Sequence, residues 1–181
     1  MLRKLFALPV LGLAAVVAMP SAAQAQEYGF DAGNWELTLA GQGSNDRDFN
    51  TTSFGVNGSI GYFFTDSLEI AVRQNATYTD AVGAGADGSA WNGSTVVALD
   101  YHFDMGRWQP FIGANIGYAY GDSTTDTWQA GPEAGVKYFV TQSAFIQLLA
   151  QYEFFFDSDD LDSEAFSDGA FFYSLGIGLK L

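Results

Sequence analysis

Eight stretches of the chain alternate between large apolar side chains and small or polar ones. In LEIAVRQNATY, Leu68, Ile70, Val72, Ala76 and Tyr78 share one side of an extended strand. Glu69, Ala71, Arg73, Asn75 and Thr77 share the other, because successive strand side chains point to opposite faces. The same pattern sets Ile112, Ala114, Ile116, Tyr118 and Tyr120 against Phe111, Gly113, Asn115, Gly117 and Ala119. Near the end it sets Tyr173, Leu175, Ile177, Leu179 and Leu181 against Ser174, Gly176, Gly178 and Lys180. The predicted strands cover 33–43, 53–64, 68–78, 93–103, 109–120, 129–140, 144–156 and 170–181. Pro110 and Pro132 are placed near strand ends, where a missing N–H is easiest to tolerate.

The connections sharpen this picture. Those at 65–67, 104–108 and 141–143 are short, whereas 44–52, 79–92, 121–128 and 157–169 are long and rich in Asp, Gly, Ser and Asn. Strict alternation of short and long connections is the pattern of an up-and-down barrel crossing an outer membrane, with short periplasmic turns and long external loops. Strand length agrees. An apolar band of ~25 Å crossed at ~45° needs about 10–11 residues, against a mode of ~5–6 in soluble strands. The fold class predicted is therefore all-β: an eight-stranded antiparallel up-and-down transmembrane β-barrel. Its large apolar rows face lipid and its mixed rows face the lumen. Aromatics near strand ends, including Phe63, Phe64, Phe103, Trp108, Tyr138 and Phe139 on one side and Trp91, Trp128, Tyr120, Phe154, Phe155, Phe171 and Phe172 on the other, are expected to form two interfacial belts. A periplasmic lipocalin-like binder is the soluble alternative, but it would have to enclose all eight bulky rows.

Residues 1–25 are expected to be a signal peptide. Arg3 and Lys4 precede an apolar run from Leu5 to Met19, and Ala23-Gln24-Ala25 forms a small-residue cleavage site. The run is short for a membrane anchor and contains Pro9. Residues 26–181 form the barrel domain. Without Arg3 and Lys4, five basic residues face 21 acidic ones, a formal charge of −16, which argues against nucleic acid as a partner. The chain has no cysteine, so no disulfide contributes in an oxidising compartment. The segments YFFTDSLEI and YFVTQSAFI also resemble each other, as one hairpin used twice.

The hairpin YFFTDSLEI and the run LDYHFDMGRWQPFIGANIGYAYGD resemble the OmpA-like and OmpW-like eight-stranded barrels, the outer membrane β-barrel domain family. The resemblance covers about residues 27–181. It implies a Gram-negative outer-membrane location, outer-membrane lipid and lipopolysaccharide as surroundings, and a monomer. The last strand resembles the signal such proteins present to the barrel-assembly machinery. The OmpW-like side of the resemblance allows a small pore or carrier for hydrophobic solutes as the alternative to a structural and surface-interaction role.

Inward positions collect Glu36, Glu69, Arg73, Asp100, His102, Glu133, Lys137, Glu153 and Lys180. Eight strands leave an interior that side chains can just fill, so these residues are expected to plug the lumen as ion pairs and hydrogen bonds. Asp100 and His102 invite an Asp–His catalytic reading, yet they lie beside a predicted periplasmic turn with no serine motif nearby. No catalytic residue, cofactor or enzymatic activity is expected. The loop DSDDLDSEAFSDG carries Asp157, Asp159, Asp160, Asp162 and Glu164, weak candidates for a divalent cation. A solvated acidic surface is the favoured reading.

Overall fold

The computed structural model describes residues 28–46, 52–80, 89–121, 126–156 and 169–181. Among them are eight strands: β1 (Trp35–Asp46), β2 (Thr52–Phe63), β3 (Leu68–Asp80), β4 (Ser89–His102), β5 (Trp108–Gly121), β6 (Thr127–Phe139), β7 (Ala144–Phe156) and β8 (Gly169–Lys180). Each pairs antiparallel with its neighbour in sequence, and β8 returns to β1 to close the barrel. Closure removes the unpaired edges that an open sheet would expose. The strands run 12–14 residues, and β1, β3, β4 and β6 extend further toward the long connections than their apolar alternation indicates.

The two faces fall as the alternation demands. Leu39, Val56, Ile60, Val72, Leu99, Ile112, Ile116, Leu148, Leu175 and Ile177 are exposed on the outer surface, whereas Glu36, Glu69, Arg73, Asp100, Glu133 and Lys137 are buried inside. The inner rows gain room from glycine. A Cβ at Gly61 would lie 1.8 Å from Glu69 Oε1, and one at Gly113 would lie 1.9 Å from Asp100 Oδ1.

The repeated hairpin has one physical basis. Thr65 Oγ1 accepts from Ser67 N–H at 3.3 Å and Leu68 N–H at 2.9 Å, and Thr141 Oγ1 accepts from Ser143 N–H and Ala144 N–H at the same two distances. Threonine side chains thus mimic a backbone turn at both short connections.

Several placements differ from the sequence expectation. Pro132 lies within β6 rather than near its end, and neither it nor Gly131 has a partner in the ladder to β7, since proline supplies no N–H. Phe63 and Phe139 belong to no outer belt, because their parity turns them inward, where both are fully buried. Phe155 and Phe172 likewise fall on inward rows. The outer row of β3 is interrupted by Gln74. Its amide donates to Tyr120 Oη at 2.7 Å and accepts from Thr95 Oγ1 at 2.8 Å, so it is satisfied on the wall itself, as a lipid-facing polar group requires.

Candidate functional site

Inward side chains stack in layers inside the barrel, beginning at the end with the short turns. Residues 28–34, ahead of β1, fold back into the mouth of the barrel. Gly29 (φ 106°) and Gly33 (φ 92°) take left-handed backbone conformations on either side of Phe30, which suits glycine alone among common residues. The Phe30 ring stacks on Phe63 at 4.0 Å and meets Phe139 and Phe145 edge-on at 5.2 and 5.7 Å. Gly33 N–H donates to the Phe63 carbonyl at 2.7 Å, and Lys180 Nζ donates to the Gly29 carbonyl at 2.8 Å. Arg107 donates to Tyr28 Oη and lies over its ring. An aromatic stopper therefore occupies this end.

Above it sits Lys137. Its ammonium pairs with Glu36 and, at 2.9 Å, with Glu69 Oε2, while the rings of Phe30 and Phe111 approach it at 5.0 and 5.2 Å. Glu69 Oε2 also meets His102 Nε2 at 2.9 Å, and Thr38 Oγ1 donates to Glu36 Oε1 at 3.0 Å. The next layer is centred on Arg73. Its guanidinium donates from both terminal nitrogens to Glu133, at 2.8 and 2.6 Å, and from Nη2 to Asp100 Oδ2 at 3.0 Å. The planar fork of arginine favours such bidentate pairing. Asn115 Nδ2 bridges Glu133 Oε2 and Glu153 Oε1, each at 2.8 Å, and Gln151 donates to both residues at 3.2 and 3.3 Å.

Eight of the nine inward charged or titratable residues expected from the sequence thus join these two layers. Lys180 does not: it is spent on the stopper's backbone. His102 faces Glu69 rather than Asp100, because Asp100 is drawn up to Arg73. No hydroxyl nucleophile bonds to His102 among the described residues. Glu69, Asp100 and His102 each bring one possible ligand atom within 4.8 Å of the others. The Lys137 ammonium already rests on the shared Glu69 oxygen, so this cluster suits a cationic side chain better than a divalent ion. Asp157, Asp159, Asp160, Asp162 and Glu164 lie outside the described residues. Alternation alone missed the stopper, for Phe30 precedes the first strand. Its signal was an aromatic residue between two glycines.

Residues 10–170 match the family described as "Outer membrane protein beta-barrel domain". The chain belongs to the outer membrane β-barrel family. It is 32% identical over 126 residues to an uncharacterised outer-membrane protein, y4mB, of Sinorhizobium fredii, a match covering 59% of this chain and 54% of that one. The chain thus spans about half the length of this curated relative. The fold is similar to that of OprG from Pseudomonas aeruginosa, with a TM-score of 0.61 at 13% identity, covering 84% of this chain and 98% of that one. It is also similar to the N-terminal barrel domain of OprF from Pseudomonas aeruginosa, with a TM-score of 0.60 at 19% identity, covering 83% and 98%. This family member is an outer-membrane protein, and its short turns therefore face the periplasm.

Proposed function

We propose that this outer membrane barrel is a non-enzymatic envelope protein, structural and surface-interacting, whose lumen is closed to solutes. The observation that carries this reading is the column of buried side chains inside it: the Phe30 stopper, the Lys137 layer and the Arg73 layer. A solute crossing the lumen would have to separate buried ion pairs, at a cost of several kcal/mol per uncompensated charge. The exposed apolar band supports contact with outer-membrane lipid and lipopolysaccharide, by a monomer that the barrel-assembly machinery inserts.

Planar-bilayer recording tests the closed lumen. The unmodified protein is expected to show only rare, small openings. Phe30→Ala combined with Lys137→Ala removes the stopper and the cation above it, and is expected to raise conductance. A steady, large conductance in the unmodified protein would overturn the closed lumen and favour a pore or carrier.

A further inference from the structure

On the external side of the Arg73 layer the lumen widens into a cavity of about 200 Å³. Its wall differs in chemistry from everything beneath it, for none of the described residues lining it is ionisable. Side-chain amides come from Gln42, Asn75, Asn92 and Gln129, and two half-buried rings from Phe155 and Phe172. We infer that this vestibule is a binding site for one neutral, polyhydroxylated ring, the chemistry of a hexose unit.

Four considerations select that ligand. Size comes first: a cavity of ~150 Å³ holds a benzene-sized ring, so this one admits a single six-membered ring with substituents. The second is hydrogen-bonding type. Amides both donate and accept, as sugar hydroxyls do. Asn75 Nδ2 is engaged with Ser94 Oγ at 2.8 Å, and Gln129, only 5% exposed, lines the cavity beside it. An amide at the cavity wall can donate to one ligand hydroxyl and accept from another.

The third consideration is the pair of phenylalanines. Apolar rings open to a polar cavity suit the C–H face of a pyranose, since ligand sites combine aromatic walls with a few placed polar groups. Charge is the fourth. The layer below sets Asp100, Glu133 and Glu153 against Arg73 alone, so an anion meets a repulsive floor, and an amine finds no carboxylate to pair with among the described residues of the wall. The site stands apart from whether the lumen conducts, because it lies wholly on the external side of the ion pairs.

The test is ligand-observed saturation-transfer NMR on the purified full chain in a sugar-free detergent. Methyl glucoside, glucuronate, glucosamine and a hexose-tipped oligosaccharide released from lipopolysaccharide are the probes. Methyl glucoside is expected to bind in the millimolar range and glucuronate not at all. Gln129→Leu is expected to weaken binding at least tenfold, about 1.4 kcal/mol. Ser94→Ala, a smaller change in the wall, should weaken it less. Both variants are checked for folding by their heat-dependent gel mobility. Binding of the oligosaccharide together with free methyl glucoside points to a soluble sugar as the source. Binding of the oligosaccharide alone points to an envelope glycan. Either outcome supports the site. No transfer to any neutral sugar would overturn it, as would equal transfer to glucuronate, preference for glucosamine, or undiminished binding by folded Gln129→Leu.

Discussion

Arg73 and Lys180 are both inward cations, but the structure uses them differently. Arg73 makes three charge-assisted hydrogen bonds to two buried carboxylates, whereas Lys180 meets one backbone carbonyl at the rim. Removing one partner of a buried pair strands the other charge. Arg73→Met is therefore expected to destabilise the barrel by about 3–5 kcal/mol. Lys180→Met loses one partly exposed hydrogen bond, worth about 1 kcal/mol. Equilibrium urea unfolding in lipid measures both, and equal losses would contradict this division of roles. Alternation in the sequence placed both residues on inward rows. It did not indicate which carboxylate each would meet, because Arg73 and Glu133 lie on strands that are not neighbours and meet only across the lumen.

Single strands carry the distinction between lipid and lumen. Val72 is exposed on the outer face, while Thr77 lines the vestibule from the inner face of the same strand, β3. Val72→Arg near the membrane midplane is expected to cost about 2–4 kcal/mol, and Thr77→Arg far less, since its charge reaches the water-facing end. Comparing folded yield in membranes of the two variants decides the matter, and equal tolerance would reverse the face assignment. The strand faces were legible because the period of two is local. The inward turn of Phe63 and Phe139 does not follow from their position near strand ends, where aromatics suit interfacial belts equally well. Parity decided it: both fall in the same rows as Gly61 and Lys137.

At the scale of the whole molecule, the closed ladder from β1 round to β8 leaves no free edge from which unfolding can begin. The native barrel is expected to resist SDS at room temperature and to change mobility on an unheated gel relative to a boiled one. Identical mobility before and after boiling, in protein extracted from membranes, would count heavily against a closed barrel. The proline within β6 locally lapses the ladder to β7 but does not break the ring, since pairing resumes at Glu133 and Gln151.

Strand number, antiparallel order, membrane location and the identity of the two faces followed from the sequence alone, because each depends on local alternation and on connection length. The contents of the lumen depended on closure. Bringing β3, β4 and β6 round a common axis placed Arg73 between Asp100 and Glu133, set Lys137 between Glu36 and Glu69, and gave His102 Glu69 as its hydrogen-bond partner. Closure also made a pocket that Phe30 could fill from outside the strand pattern, and left an amide-lined vestibule above the last ion pair. Contacts across a lumen join residues distant along the chain, and no periodicity within one strand encodes which of them will meet.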